Sequence, residues 1–127
     1  MSGTNTFIHH VGITAPVEVL EEVVSFYDTV LGLKPGYRPD FGGIVGYWLY
    51  SGDHPMIHLL EDPNRQGEKS GYFDHVALRC TGLDEMISTL ESNNMDFFRL
   101  ETKETNQVQL FLSDPSGTTI ELNFYEA

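Results

Sequence analysis

Apolar residues follow two rhythms along this chain, and the order of those rhythms repeats. Two-residue alternation or short β-branched and apolar runs predict strands over Phe7–Thr14, Ile44–Ser51, Met56–Glu61, Phe73–Cys80, Phe97–Glu101, Val108–Leu112 and Thr118–Phe124. Between the first two, Val17, Leu20, Val23, Val24, Tyr27, Val30 and Leu31 recur at helical spacing. Pro16 stands before them and Gly32 after, the residues that start and stop helices. A second helix is predicted over Gly82–Asn94, with Leu83, Met86, Ile87 and Leu90 on one face. Pro35-Gly36, Gly52-Asp53-His54-Pro55 and Asp114-Pro115-Ser116-Gly117 carry turn chemistry, and Tyr37-Arg38-Pro39 reads as a short edge strand. Each half is therefore βαβββ. The chain is expected to be one domain over residues 1–127, with module one at about 5–61, a polar linker at about 62–71 and module two at about 72–125.

The halves match in detail. Phe7-Ile8-His9-His10-Val11-Gly12-Ile13 is echoed by Tyr72-Phe73-Asp74-His75-Val76-Ala77-Leu78, and Ile57-His58-Leu59 by Ile120-Glu121-Leu122. His10, His58, His75 and Glu121 are all of types that bind divalent metals, and two copies of a half-site would make one whole site. Strand alternation sorts the faces. His10, Gly12 and Thr14 share one face, opposite Val11 and Ile13. His75, Ala77 and Arg79 oppose Val76, Leu78 and Cys80. In the last strands Glu121 and Asn123, with Gln107, Gln109 and Phe111, oppose an apolar set. A face carrying Glu and two Gln suits a cavity wall better than a core. His58 lies with Met56 and Leu60, a less polar setting, and a face of the Gly46–Tyr50 strand, bearing either Trp48 or Tyr47, should line the same cavity. His9 falls on the face of Val11 and reads as structural. His54 reads as a solvated turn residue, and Cys80 as a small core residue.

Composition narrows the partners. Seven Lys and Arg against 19 Asp and Glu give a net charge of −12, which argues against nucleic acid. An anionic substrate would need local positive groups, for which Arg38, Arg79 and Arg99 are candidates. Met1–Thr6 has neither the basic start nor the apolar run of a signal peptide, and no stretch reaches the ~20 apolar residues of a membrane span. The single cysteine, Cys80, cannot form an internal disulfide. A cytoplasmic location with no membrane partner is expected.

Several pieces together resemble the vicinal oxygen chelate superfamily, which contains glyoxalase I, fosfomycin-resistance proteins, methylmalonyl-CoA epimerase, extradiol dioxygenases and bleomycin-binding proteins. They are His10-Val11-Gly12-Ile13, Phe26-Tyr27 with Val30-Leu31-Gly32-Leu33, Ile57-His58-Leu59, Asp74-His75-Val76-Ala77-Leu78, and Asp114-Pro115-Ser116-Gly117 leading to Ile120-Glu121-Leu122. Arg38-Pro39 followed by Gly46-Tyr47-Trp48-Leu49 is similar to a glyoxalase-like subgroup. The resemblance implies an α+β fold of two tandem βαβββ modules whose curved mixed sheets form a cleft, with helices on the outer face. It also implies one divalent ion (Zn, Ni, Co, Mn or Fe) held by His10, His58, His75 and Glu121, and a homodimer in which the site can be shared between chains.

Such an ion could take two neighbouring oxygens of a small substrate, with Glu121, the only carboxylate of the set, as general base. Arg38, Trp48, Gln109 and Phe111 are the candidate substrate-binding residues. The reaction implied is glyoxalase-like lyase or isomerase chemistry. The chain departs from the family at His58, where bacterial glyoxalase I usually has glutamate. Ring-cleaving dioxygenation, typically with two His and one carboxylate on Fe²⁺, is the rival enzyme reading. Sequestration of a planar ligand between Trp48, Tyr47 and Phe111, in the manner of bleomycin-resistance proteins, is the non-enzymatic one.

Overall fold

The computed structural model describes residues 8–40, 42–67 and 73–126. The chain divides into two compact units, residues 1–28 with 32–66 and residues 29–31 with 67–127. The elements of the first half are β1 (Val11–Ala15), α1 (Val17–Leu31), β2 (Lys34–Gly36), β3 (Gly46–Ser51) and β4 (His54–Glu61). Those of the second are β5 (Val76–Arg79), α2 (Leu83–Ser92), β6 (Phe98–Thr102), β7 (Gln107–Ser113) and β8 (Thr119–Phe124). A single 3₁₀ turn, Lys103–Thr105, which the hydrophobic pattern does not signal, lies between β6 and β7. The sheets are ordered β1-β4-β3-β2 and β5-β8-β7-β6. In both, the first strand runs parallel to the last and the other pairs are antiparallel, so each half is a βαβββ module with a mixed sheet, as the sequence pattern requires.

Burial follows the predicted faces. Leu20, Val23, Phe26 and Tyr27 of α1 are buried, as are Ile13, Ala15, Leu49, Ile57 and Leu59 of the first sheet. In the second half the buried set is Leu83, Leu90, Val108, Leu110, Leu112, Ile120, Leu122 and Phe124. Burying one such side chain is worth about 1.5–3 kcal/mol, so these faces fix the register: a one-residue slip would turn a whole row to water. The first helix ends where Gly32 enters the left-handed region (φ 69°), its N–H bonding Asp28 O at 2.9 Å while Leu33 N–H bonds Tyr27 O at 3.1 Å. The second helix starts without a capping side chain of its own at Gly82. Glu126, from the far end of the module, supplies the cap: its carboxylate accepts from Gly82 N–H at 2.8 Å and Leu83 N–H at 3.1 Å.

Some boundaries differ from the sequence expectation. Phe7, like most of the terminal residues and part of the linker, lies outside the described residues, and β1 begins only at Val11, where pairing with Ile57 starts. Likewise β5 begins at Val76, opposite Ile120, not at Phe73. The edge strand is Lys34–Gly36, because those residues pair with Tyr50, Leu49 and Trp48; Tyr37–Pro39 has left the sheet. Ile44 and Val45 precede β3, and the turn of that hairpin is only Gly52-Asp53, so His54 and Pro55 already belong to β4. Gly46 is required by crowding: a Cβ there would stand 2.4 Å from Leu59 O.

The turn at Asp114 is built around a buried carboxylate. Asp114 is 4% exposed, and its Oδ1 accepts from Ser116 N–H (2.8 Å), Ser116 Oγ (2.6 Å) and Thr118 N–H (3.2 Å). Asp114→Ala leaves those half-buried donors without their acceptor and is expected to cost about 1–3 kcal/mol, read as a fall in denaturation midpoint at unchanged m-value. A loss below ~0.5 kcal/mol would show that the turn holds itself.

Candidate metal centre

The backbone registers place the candidate residues in matching positions within each half. Gly12 faces His58 across β1 and β4, and Ala77 faces Glu121 across β5 and β8. Trp48 of β3 pairs with His58, and Phe111 of β7 pairs with Glu121. His58 and Glu121 are thus equivalent in space as well as in sequence, and Trp48 matches Phe111. His10 and His75 each stand one residue before the first strand of their module. The small Gly12 and Ala77 leave room beside them.

In the first half the rings stack. His10 lies on His58 at 3.7 Å between centroids, 9° from parallel, and Trp48 covers the other face of His58 at 3.9 Å and 10°. This selects the Trp48 face of β3 as the one beside His58, since Leu49 is fully buried on the opposite side. His58 Nε2 donates to Pro55 O at 3.0 Å, leaving Nδ1 as its free lone pair. Burial, then the neighbouring His10, hold the His58 pKa below the ordinary imidazole value, with His9 and His54 adding to this against the Pro55 bond.

Two expectations about this half are overturned. His9 is not a structural residue on the Val11 face. It precedes the strand, is exposed, and its Nδ1 lies 2.9 Å from His10 Nδ1. His54 is exposed, as expected, but it is not a turn residue: it opens β4, its Nε2 donates to His9 O, and its ring meets that of His9 edge-on at 5.0 Å. Alternation gives the face of a side chain within a ladder, not its partner, and His9 lies before any ladder. The His9-His10 dipeptide was the sequence signal available.

In the second half His75 Nε2 lies 3.1 Å from Glu121 Oε1, and His75 Nδ1 donates to Asp74 Oδ2 at 2.7 Å. Glu121 is buried, 7% exposed, and Asn123 Nδ2 donates to its other oxygen at 2.5 Å. Asn123 in turn accepts from Gln107 Nε2 at 3.0 Å. The Phe111 ring meets His75 edge-on at 5.6 Å. The bond to Asp74, with smaller help from the Glu121 charge and against burial, lifts the His75 pKa above the ordinary value.

The two histidines are therefore expected to titrate on opposite sides of the usual 6.5, in metal-free protein followed by NMR of the ring protons. The raised His75 contributes stability that is complete below its unfolded pKa and disappears as pH rises through the folded one. The depressed His58 costs stability as pH falls through the unfolded value toward its own. A single shared midpoint would contradict this.

The donor chemistry fits a divalent ion. Two donors each ~2.1 Å from an ion and at right angles lie ~3 Å apart, which is the spacing of His75 Nε2 and Glu121 Oε1. Among the described residues, no group of three or more His, Cys, Asp or Glu side chains is gathered around one point. The remaining candidates are placed as follows. Arg38 donates to the backbone carbonyls of Ile44 and Pro39. Gln109 accepts from Thr102 Oγ1 at 3.2 Å. Arg99 is paired with Glu101 at 3.1 Å, and Arg79 lies 4.4 Å over the Tyr125 ring. Cys80 is half-buried and not part of the buried core, and its partial burial pushes the thiol pKa up.

A family model described as Glyoxalase/Bleomycin resistance protein/Dioxygenase superfamily matches residues 7–122. The chain belongs to that superfamily. Among curated relatives, a protein of Arabidopsis thaliana named Glyoxylase I 4 is 32% identical over 124 residues, covering 92% of this chain and 70% of the relative. Among solved structures, a glyoxalase family protein from Bacillus anthracis superposes with TM-score 0.76 at 24% identity, covering 98% of each chain. The trypanothione-dependent glyoxalase I of Leishmania major gives 0.72 at 17% identity over 96% of this chain and 88% of that one. These two structural likenesses establish the superfamily fold, the α+β pair of modules that the repeat predicts. No helix among the described residues is long and apolar enough to cross a membrane.

Proposed function

We propose that this protein is a metal-dependent, glyoxalase-like lyase or isomerase acting on a small substrate with two neighbouring oxygens. The observation that carries the reading is the His75–Glu121 pair at adjacent-ligand spacing, with the repeat-equivalent places in the other half filled by His10 and His58. The 32% identity to a relative named as a glyoxylase I supports the same direction. In this reading His10, His58, His75 and Glu121 serve one ion of Zn, Ni, Co, Mn or Fe, within a chain or across a homodimer in the cytoplasm. The bound ion supplies a positive centre for charge developing on the substrate oxygens.

The chain's own residues do the rest. Glu121 takes the carbon-bound proton; it is the only carboxylate of the set, and Asn123, itself held by Gln107, fixes the direction of its second oxygen. Trp48 and Phe111 offer flat apolar surfaces beside the histidines, and Arg38 and Gln109 offer polar contacts. The test is metal analysis after supplementation, followed by turnover of a hemithioacetal formed from a 2-oxoaldehyde and a thiol. A stoichiometric ion with turnover is expected. No ion and no turnover, with tight binding of a planar ligand, would replace the enzyme by a sequestering protein.

One observation favours a second reading. His58 Nε2 is committed to Pro55 O and its ring is sandwiched. A His58 kept off the ion leaves His10, His75 and Glu121, the two-histidine, one-carboxylate set of ring-cleaving dioxygenases. Oxygen uptake with a panel of catechols on Fe²⁺-loaded protein distinguishes the two.

A further inference from the structure

We infer that positions 9 and 74, equivalent in the repeat, are positioning sites: each binds Nδ1 of the histidine that follows and thereby reserves that histidine's Nε2 for a metal ion. The inference rests on the proposal that His10 and His75 are ligands, and adds the groups that aim them.

The geometry is parallel in the two halves although the residues differ. Asp74 Oδ2 lies 2.7 Å from His75 Nδ1, and His9 Nδ1 lies 2.9 Å from His10 Nδ1. An ionised carboxylate only accepts, so Asp74 holds a hydrogen on His75 Nδ1; in the neutral ring that metal binding requires, the lone pair is then left on Nε2, the atom 3.1 Å from Glu121 Oε1. The same tautomer follows for His10 when His9 Nδ1 is the acceptor, with the His9 hydrogen on Nε2. His9 is itself braced, because His54 Nε2 donates to its carbonyl and the His54 ring packs against it edge-on. Both positions lie before the first strand and are exposed. Ligating histidines commonly have the other ring nitrogen held by a carboxylate, carbonyl or water, and removing that partner costs about 10- to 100-fold in metal affinity. Here a carboxylate serves one histidine and an imidazole the other. The anionic partner makes His75 the more electron-rich donor, so position 74 should matter more than position 9.

The test is Co²⁺ binding to the full-length protein by calorimetry, with the visible spectrum of the bound ion as a second readout. Wild type is compared with D74A, D74N, H9A and H9N, and with H75A and H10A as references for the ligands themselves. D74A is expected to raise the Kd about 10- to 100-fold and H9A by a smaller factor of at least ~3. D74N and H9N, whose amide oxygen can still accept from Nδ1–H, should recover part of the loss and restore the wild-type spectrum. If H75A abolishes binding while D74A and H9A stay within twofold of wild type, the positioning inference is wrong and the ligand reading stands. If D74N is as weak as D74A, orientation by a hydrogen bond is not what position 74 supplies. If H75A and H10A bind Co²⁺ like wild type, the ligand reading fails and this inference with it.

Discussion

Glu121→Gln is expected to lower turnover roughly 10²- to 10⁴-fold, the range for removing a positioned general base, with little change in melting temperature. The substitution is nearly isosteric. The glutamine amide oxygen can still accept from Asn123, and its amino group can donate to His75, so the buried network keeps its partners. What is lost is the ability to take a proton and the negative charge offered to an ion. The defect should therefore fall on kcat more than on KM. Turnover within about threefold of wild type would remove Glu121 from its role, leaving position 58 or a bound solvent molecule to accept the proton. Because the same carboxylate is proposed as a ligand, metal content is measured on the same sample, which separates a loaded but inactive protein from an empty one.

The second large effect concerns the departure at position 58. His10→Ala is expected to raise the Kd for Zn²⁺ or Co²⁺ by more than about 100-fold, beyond the range seen when only an outer partner is removed. His58→Ala should also weaken binding, but less. Its Nε2 is held by Pro55 and its ring lies between His10 and Trp48, so only Nδ1 is free to coordinate. Its depressed pKa keeps it neutral, as a ligand must be. Unchanged affinity in His58→Ala with loss in His10→Ala would dismiss the four-ligand set. Fe²⁺ and oxygen chemistry would then become the favoured reading.

Much of the fold was legible because it rests on periodicity. The helix Val17–Leu31 and the buried rows at Ile57/Leu59 and Ile120/Leu122 follow from patterns that only one backbone geometry can bury. The repeat placed His58 and Glu121 at equivalent positions, and the strand registers agree. The errors came where periodicity stops. His9, His10, Asp74 and His75 lie before the first pairing of their strands, so no alternation rule fixes their directions. Gly52-Asp53-His54-Pro55 has turn chemistry, yet pairing of His54 with Ser51 extends the strand to it.

The sequence by itself determined the superfamily, the two-module order and the residue types available for an ion, because each of these depends on local pattern or on repetition. Tertiary structure alone decided that Trp48, His58 and His10 form one stack, that Glu126 caps α2, and that the residue before each candidate histidine holds its Nδ1. Those contacts depend on side-chain directions and on strands brought together across long stretches of chain. Each adds only a kcal/mol or so to a fold already specified by its buried apolar faces. That is why the hydrophobic pattern carries no trace of them.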